Sequence, residues 1–387
     1  MTVHGNGLHA FGEQPLPPWR RAVLKVGSSL LAADDGGLTD RFAADLARFV
    51  ADCRAQGREV VIVSSGAVAA GRGLLHTDAA GLTQRQALAA LGQAPMIALW
   101  QRLSDVPVAQ VLLSHDDVRN RRRYLNARAT LRELLRLGAL PVVNENDTVA
   151  VDELKLGDND NLAAVVAALV DAEVLLIATD IAGLYSGHPL RDPHARPVPR
   201  VDAITAETHR MAAGDAGAIG TGGMRTKLEA ASKAAAAGIG TALFCGRDAD
   251  TVAALSRGTL HGTWIAAHGD RLLARKLWMR HAPAGLHGVE VDAGAAQALG
   301  VRGASLLPGG VVEVKGEFGR GDLVEVRLAG DATARVLARG LVQYNATDLR
   351  RIVGRHSRDI ESILGYRYAE SVIHRDDLVV LPQEDAA

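Results

Sequence analysis

The 387-residue sequence predicts an α/β protein, in which an open, mainly parallel sheet is sandwiched by helices and a small β-rich domain follows. Apolar strand-like runs alternate with helix-like spans as far as about residue 278, the pattern of a parallel sheet covered on both faces. Several of these runs end in polar or glycine-rich turns. From about residue 284 onward, short strands separated by glycines replace the alternation. These three observations set the fold class.

The strands and helices of the first domain are predicted from its apolar runs and from the turn residues that interrupt them. Strands are predicted to begin near residues 21, 59, 106, 140, 173 and 239. Helices are predicted over about 39–56, 83–102, 117–137, 161–170 and 224–237, and right-handed crossovers are the default. Proline and glycine interrupt the pattern near residues 279–285. We therefore predict a flexible tail over residues 1–19, a first domain over 20–278 and a second over 284–378.

Composition and charge argue against several classes of protein. Lys plus Arg number 43 and Asp plus Glu number 44, so the net charge of −1 argues against a nucleic-acid surface spread over the whole protein. Cys53 and Cys245 lie far apart, so we expect no disulfide framework and a reducing compartment. The first 18 residues lack the apolar core of a signal peptide, and no run approaches the ~20 apolar residues of a membrane span. We expect a cytoplasmic protein that does not enter a membrane.

The most polar stretch of the first domain, residues 144–161, reads NENDTVAVDELKLGDNDN between a predicted strand and a predicted helix. Polar loops on a rigid scaffold often carry binding and catalytic groups. The alternative is a solvated turn, because Asn, Asp and Gly favour turns and Asp160 or Asn161 could cap the following helix. The residues alone leave these two interpretations open.

Two early turns are candidates for anion binding. Lys25 stands near the end of a buried strand, so its charge must reach water or an anion. A lysine that snorkels to the edge of the sheet is an equal alternative. Ser64, Ser65 and Gly66 form a strand-to-helix turn whose N–H groups suit a carboxylate or phosphate. Taken singly, an ordinary helix cap explains that turn better, and a nucleophilic serine is not expected because G-x-S-x-G is absent.

Two later turns fit a nucleotide. Thr179 and Asp180 follow a strand end, where a simple β-turn is the alternative. Residues 220–227 read GTGGMRTK, in which three glycines let the backbone approach an anion and the following helix aims its N–H groups at it. Lys227 falls in the first helical turn, which is unfavourable for a cation unless an anion is bound. This last turn is the strongest single signal.

Six motifs, taken together and in order, resemble the amino-acid kinase family and within it the glutamate 5-kinases: VLKVGSS, VIVSSGAVAAGR, VVNENDTVA, KLGDNDNLAA, ATDIAGLY and GTGGMRTKLEAA. The β-rich tail contains SLLPGGV, GEFGRGDLV and RRIVGRHSRDIESILGY, and it is similar to the PUA domain of the bacterial enzymes. The resemblance runs from about Val23 to Leu378. Ser64 stands where threonine is common, which keeps the hydroxyl, and the extension through Trp19 is longer than usual.

The resemblance implies an amino-acid kinase fold and ATP-dependent phosphorylation of the side-chain carboxylate of L-glutamate to L-glutamyl 5-phosphate, the first step of proline biosynthesis. It implies Mg²⁺ as cofactor, bound through ATP, and assigns no protein side chain as a metal ligand. The residues expected at the site are Lys25, Lys227 and Asp158 for catalysis; Ser65, Asp147, Asn159 and Asp160 for the substrate; and Lys25, Thr179, Asp180, Thr221, Gly222, Gly223, Met224, Arg225, Thr226 and Lys227 for ATP.

Simple electrostatics agrees with this expectation. A glutamate side chain has a pKa of about 4.3 and is already ionised at neutral pH, so the reaction needs no general base. Catalysis should bring a carboxylate up to a polyanionic triphosphate, a task that suits Lys25 and Lys227. We expect either Asp158 or Asp160 to orient a lysine or a water on Mg²⁺, and the other to contact the substrate ammonium group. Lys155 could neutralise one of them.

Partners are also implied by the resemblance, which predicts inhibition by proline and a homodimer or homotetramer. A kinase of acetylglutamate, aspartate or carbamate is the rival within the class, but those relatives lack the PUA tail. RNA binding by the tail is the alternative from another class. It is not expected, because the tail that contains the arginines of residues 350–358 also has acids interleaved along it, and no aromatic-rich platform is visible. The basic cluster at residues 119–123 is interpreted as a solvated or subunit-contact face.

Overall fold

The computed structural model describes residues 10–33, 36–77, 81–114, 117, 120–149, 159–189, 191–212, 223–267, 287–331 and 335–381. The chain divides into two compact units, Met1–Asn120 with Asn126–Gly269 and Arg121–Leu125 with Asp270–Ala387. Among the described residues, no helix is both long enough and apolar enough to span a membrane.

The described part of the first unit contains ten strands: β1 Gln14–Pro15, β2 Arg21–Val26, β3 Glu59–Ser64, β4 Val108–Leu113, β5 Leu140–Glu145, β6 Val174–Thr179, β7 Arg200–Val201, β8 Gly240–Cys245, β9 Thr259–Leu260 and β10 Gly262–Ile265. β1 pairs with β9, and the other eight form one sheet in the order β4-β5-β3-β2-β6-β8-β10-β7. Neighbours in this sheet are parallel except β8 and β10. The mainly parallel sheet is therefore confirmed. The sequence predicts β8 as the last strand of the first domain, but β9 and β10 follow it in the chain.

The centre of this sheet is buried on both faces. Every residue of β6 is buried, as are the last five residues of β2 and of β3. Since successive side chains of a strand point to opposite faces, unbroken burial means that both faces are covered. The runs of Val, Ile and Leu in these strands are therefore a consequence of their central position.

The described α-helices before residue 270 are α1 Ala43–Ala55, α2 Ala67–Leu75, α3 Leu82–Leu103, α4 Arg121–Arg136, α5 Asn159–Leu169, α6 Ala206–Met211, α7 Met224–Ala236 and α8 Ala249–Ser256. The first five residues of α4 group with the second unit and the rest with the first. α6 and α8 are additions to the predicted helices. α2 packs closely on α3 because glycines face each other's backbone: a Cβ on Gly92 would lie 1.8 Å from the carbonyl oxygen of Ala67. α5 begins two residues earlier than predicted, which places Asn159 and Asp160 in its first turn.

Residues 10–19 differ from the flexible tail that the sequence predicts, while residues 1–9 lie outside the described residues. β1 pairs with β9, and the Leu16 N–H donates to the carbonyl oxygen of Gly258 at 2.8 Å. Phe11, Leu16 and Trp19 are all buried. The prolines of this segment restrict the unfolded chain, which lowers the entropy lost when the segment is held. Three buried apolar side chains then outweigh the loop-like composition.

The second unit contains a five-stranded mixed sheet, in the described residues, with one parallel pair. Its strands are β11 Gly288–Val291, β12 Val311–Lys315, β13 Leu323–Leu328, β14 Val336–Val342 and β15 Ile373–Val380, in the order β12-β11-β13-β14-β15. The helices α9 Ala293–Arg302, α10 Ala346–Ile352 and α11 Ile360–Leu364 complete it. The predicted β-rich second domain is thus confirmed as a small mixed sheet.

Aromatic residues gather in this unit although the sequence shows no aromatic-rich platform. The ring of Tyr368 lies 4.6 Å from that of Tyr366 and 6.0 Å from that of Tyr344, measured between centroids. The guanidinium carbon of Arg320 lies 3.9 Å from the Tyr368 ring centroid. Arg320 and Tyr344 are distant in sequence from Tyr366 and Tyr368, so only the fold brings them together.

Candidate active site

Turns that follow four neighbouring strands meet at one edge of the eight-stranded sheet. β5, β3, β2 and β6 are consecutive and parallel, so their carboxyl ends share that edge. The register places Val26 of β2 beside Ser64 of β3 and Ala178 of β6. Open α/β sheets bind ligands at this edge. The turns after Lys25 and Ser64 and the turn at Thr179 are therefore neighbours in space.

A buried carboxylate holds two buried lysines here. Lys25 of β2 forms an ion pair with Asp160 Oδ1, and Lys227 Nζ lies 3.3 Å from Asp160 Oδ2. Thr226 Oγ1 donates a hydrogen bond to the same Oδ2 over 3.0 Å. Each lysine is 5% exposed and Asp160 is fully buried, so these charges are largely removed from water. Lys25, Asp160 and Lys227 are called the lysine cluster below.

Two helix N-termini build the cluster. Asp160 lies in the first turn of α5, where a carboxylate interacts favourably with the helix dipole. Thr226 and Lys227 lie in the first turn of α7, where a lysine is unfavourable by the same argument. The Asp160 carboxylate offsets that cost. Both helix ends contribute positive potential, so the arrangement favours an anion.

The Asp160 carboxylate stays ionised in this setting. Burial by itself raises the pKa of the carboxyl group, but the ammonium groups of Lys25 and Lys227 and the hydrogen bonds from Lys25 and Thr226 bring that pKa below its ordinary value. The lysine cluster therefore consists of two ammonium groups and one carboxylate, with one net positive charge. A buried group of charges with this excess is an acceptor for a negatively charged ligand.

A second set of contacts links three of the polar turns. Asn159 Nδ2 donates to Ser65 Oγ at 2.8 Å and to Asn144 Oδ1 at 3.0 Å. Asn159 Oδ1 is buried and accepts no hydrogen bond from the described residues. The indole N–H of Trp100 donates to Ser64 Oγ at 2.9 Å and so fixes the neighbouring turn. An acceptor of this kind, next to the lysine cluster, suits a ligand that donates hydrogen bonds.

Thr179 and Asp180, which are predicted to contact a nucleotide, lie at the end of β6, on the side of β2 opposite to β3. Thr179 ends β6 and is buried, and its Oγ1 lies 3.2 Å from Asp180 Oδ1. Met224 is buried at the start of α7, directly after Gly223. Arg225 is exposed and lies 3.6 Å from Glu229 on the same helix, so that contact does not join it to the lysine cluster. The edge beside β6 is thus formed by Thr179, Asp180 and the start of α7.

The structure brings together Lys25, Ser65, Asn159, Asp160, Thr226 and Lys227 among the predicted site residues. Asp147 is half-buried in the turn after β5. Asp158, Thr221 and Gly222 lie outside the described residues. Asn144 and Trp100 are contacts that sequence reasoning missed. Asn144 opens the polar stretch and could have been noticed, whereas nothing in the sequence of α3 marks Trp100.

Known proteins resemble this chain over 65% to 96% of its length. The UMP kinase of Bacillus anthracis is a solved structure with 13% identity and a TM-score of 0.47, over 65% of this chain and 98% of that chain. The glutamate 5-kinase of Xylella fastidiosa strain M23 is 62% identical over 375 residues, which are 96% of this chain and 98% of that relative. The glutamate 5-kinase of Xanthomonas oryzae pv. oryzae strain KACC10331 is 65% identical over 362 residues, 93% of this chain and all of that relative.

Family sequence models divide the chain between two families. The model of the amino acid kinase family matches residues 20–245, and the model of the PUA domain matches residues 287–364. The chain therefore belongs to the amino acid kinase family, groups with the glutamate 5-kinases, and carries a PUA domain.

Proposed function

We propose that the protein transfers the γ-phosphoryl group of ATP to the side-chain carboxylate of L-glutamate, giving L-glutamyl 5-phosphate at the start of proline biosynthesis. The observation that carries the proposal is the lysine cluster, in which two buried ammonium groups share one buried carboxylate. The similarity to glutamate 5-kinases supports glutamate over other small acids as the acceptor.

The charge of the cluster fits this reaction. Glutamate arrives as a carboxylate because its pKa is about 4.3, so the protein has no proton to remove. Its approach to the triphosphate is opposed by repulsion between two anions, which is strong where water is excluded. Lys25 and Lys227 would neutralise charge on the transferring phosphoryl group, and a site organised in advance needs little rearrangement at the transition state.

The remaining contacts support a division of roles. Asp160 would act as a positioning residue that holds both ammonium groups, because both of its oxygens already contact lysine. We therefore propose that Asp158 contacts the substrate ammonium group. This reverses the assignment made from the sequence, in which Asp160 binds the substrate and Asp158 takes part in catalysis. Asn159 Oδ1 would accept a hydrogen bond from the glutamate ammonium group, since it accepts none from the described residues. Ser65, Asp147 and Asn159 are proposed to bind glutamate.

ATP is proposed to lie along the β6 side of this edge. Thr179 and Asp180 would contact the nucleotide, and the start of α7 would hold the phosphates. The support is that the start of α7 reaches the lysine cluster through Thr226 and Lys227, and that β6 pairs with β2, the strand that carries Lys25. The residues assigned to ATP are Lys25, Thr179, Asp180, Thr221, Gly222, Gly223, Met224, Arg225, Thr226 and Lys227.

Mg²⁺ is proposed to arrive with ATP and to be bound by its phosphates. The lysine cluster does not fit a metal ion, because each Asp160 oxygen already contacts an ammonium group and the net charge is positive. The part of the chain that the structure describes also contains no group of three or more His, Cys, Asp or Glu residues placed to hold a metal.

Proline inhibition, a homodimer or homotetramer, and a cytoplasmic location remain proposals from the family resemblance. The same holds for the domain limits, with the kinase domain over residues 20–278 and the PUA domain over 284–378. The family matches over residues 20–245 and 287–364 support a division between them.

A hydroxamate assay tests the proposed reaction. The chain is incubated with ATP, Mg²⁺, hydroxylamine and one acid at a time, and the acyl phosphate is trapped as a coloured ferric hydroxamate. We expect a signal with L-glutamate and at most a small one with aspartate, acetylglutamate or carbamate. No ATP-dependent hydroxamate with glutamate, or a larger signal with another acid, would contradict the proposal.

A further inference from the structure

The N-terminal segment places an aromatic ring on a turn beside the proposed nucleotide site. Phe11 and Tyr185 pack edge to face, with ring centroids 5.2 Å apart and planes at 81°. Both rings are buried, Phe11 to 8% exposure and Tyr185 to 5%, and with Ala195 they form a small apolar cluster of their own. Edge-to-face pairs of this kind add about 0.5–1.5 kcal/mol to the burial of the rings.

The segment is anchored by contacts that directly follow Phe11 in the chain. Gln14 Nε2 donates to the carbonyl oxygens of Pro199 at 2.8 Å and Gly262 at 2.7 Å. β1 continues the segment by pairing with β9. Gly183 makes room for Phe11, because a Cβ at that position would lie 2.8 Å from Phe11 Cζ. The position of Phe11 is therefore determined by several independent contacts.

Tyr185 is also part of the wall of a cleft that opens to solvent. Ile181, Leu184, His188 and Met224 are among its other lining residues, so the wall is mainly apolar with a few polar groups. Small-molecule sites have this character, and a purine base stacks well in an apolar, aromatic setting.

The location of the cleft connects it to the triphosphate site. Ile181 directly follows the Thr179–Asp180 turn, and Met224 is the first residue of α7, three residues before Lys227. A nucleotide whose phosphates contact the lysine cluster would therefore direct its base toward this cleft. That step rests on the proposed function.

Hydrogen bonds hold the backbone of the turn that carries Tyr185, so the contact with Phe11 acts on the Tyr185 ring alone. The Leu184 N–H donates to Thr263 Oγ1 at 2.8 Å, and the Val198 N–H donates to the Leu184 carbonyl oxygen at 2.8 Å. Removal of the Phe11 ring would open space behind Tyr185 without breaking these bonds. The Tyr185 ring could then move away from the cleft wall.

We propose that Phe11 is a positioning residue for the nucleotide: it holds Tyr185 as one wall of a cleft that binds the base of ATP. The N-terminal segment thus acts on affinity for ATP and leaves the phosphoryl-transfer chemistry unchanged. The contact is made by a residue that precedes the part of the chain matched by the kinase family model, which begins at residue 20.

The test compares Phe11→Ala with the wild type in the full chain. We expect the KM for ATP and the Kd for MgATP, the latter measured by calorimetry without glutamate, to rise about tenfold. The kcat and the KM for glutamate should stay within about twofold of the wild type. Inorganic tripolyphosphate should inhibit both proteins equally, because it reaches the lysine cluster and has no base to place in the cleft.

Two further variants make the result decisive. Phe11→Leu keeps an apolar side chain behind Tyr185 and should restore most of the ATP affinity, even if Phe11→Ala folds poorly. Leu16→Ala is the control for lost stability, because Leu16 is buried to a similar extent in the same segment but belongs to the main core. It should lower the melting temperature without changing the KM for ATP.

Three outcomes would overturn the inference: an unchanged Kd for MgATP in folded Phe11→Ala, an equal loss in Leu16→Ala, or a parallel loss of tripolyphosphate inhibition. Failure of the proposed function is a separate result. If the wild type forms no acyl phosphate, the reaction is wrong, while the calorimetric comparison with MgATP still decides the role of Phe11.

Discussion

Asp160 and Glu325 are carboxylates that each pair with two cations, and they differ in how far water reaches those cations. Asp160 lies between Lys25 and Lys227, whose side chains are 6% and 7% exposed. Glu325, in the second unit, forms an ion pair with Arg327 and lies 3.0 Å from Arg339, whose side chains are 37% and 20% exposed. The two trios have the same charges in very different surroundings.

The origin of each trio explains the difference. Glu325 and Arg339 are direct partners on β13 and β14, and Arg327 follows two residues later on the same face, so sheet register alone assembles them. The lysine cluster takes its members from β2, α5 and α7. No local geometry assembles it, and burying its charges is costly. An arrangement of that kind is expected where the charge serves chemistry.

Removal of one lysine should have the largest effect. Lys227→Ala is expected to lower kcat by about 10³-fold or more, because one of two groups that neutralise the transferring phosphoryl is lost. The fold should remain intact by circular dichroism, since Asp160 keeps Lys25 as a partner. A kcat near that of the wild type would remove the electrostatic role of Lys227.

Neutralising the shared carboxylate should mainly affect stability. Asp160→Asn leaves two ammonium groups buried without their counterion, and we expect the free energy of unfolding at pH 7 to fall by about 3–5 kcal/mol. The matched change Glu325→Gln should cost about 1 kcal/mol or less, because water reaches its arginines. Urea titrations of the three proteins measure both values, and equal losses would erase the distinction between the trios.

The pH dependence of that loss has a definite sign. The pKa of the Asp160 carboxyl is lowered in the folded protein, so its stabilising effect is fully present above the unfolded value of about 3.9. The effect should diminish as the pH falls below that value and vanish below the folded pKa. The difference between wild type and Asp160→Asn should therefore be constant from pH 7 to about pH 5 and shrink in more acidic solution. A difference that grows on acidification would mean that Asp160 is protonated at neutral pH.

A variant of Asp147 should distinguish substrate recognition from charge neutralisation by the lysine cluster. Asp147→Ala should raise the KM for glutamate about tenfold or more, because a charged partner of the substrate is lost, and should change the KM for ATP little. Thr148→Ala, an exposed neighbour in the same turn, is the control. A larger rise in the KM for ATP would mean that the acidic stretch serves the nucleotide.

The smallest effect is expected from the trio of Glu325, Arg327 and Arg339. Arg339→Ala should lower the free energy of unfolding by about 1 kcal/mol or less, because Arg327 still pairs with Glu325. Its kcat should equal that of the wild type. A large loss of activity in this variant would show that the two trios are not functionally distinct.

Motif order and apolar spacing were enough to predict the mainly parallel sheet, the β-rich second domain and most of the residues that gather at the sheet edge. Lys25, Ser64 and Thr179 could be placed there because the ends of parallel strands must share an edge. The same reasoning was wrong for residues 10–19, where a composition rich in Pro and Gly suggested a flexible tail. Buried contacts of Phe11, Leu16 and Trp19 with distant parts of the chain hold that segment, and local composition cannot reveal such contacts.

The sequence alone was therefore enough to predict the fold class, the family and the types of side chain at the candidate site. These follow from local apolar periodicity and from motifs that are contiguous in sequence. The partners of these groups were decided by folding. Asp160 contacts both Lys25 and Lys227, Trp100 donates a hydrogen bond to Ser64, and Phe11 packs against Tyr185. These choices depend on distances between segments that are far apart along the chain. Such distances are set only when the whole sheet and its helices pack together.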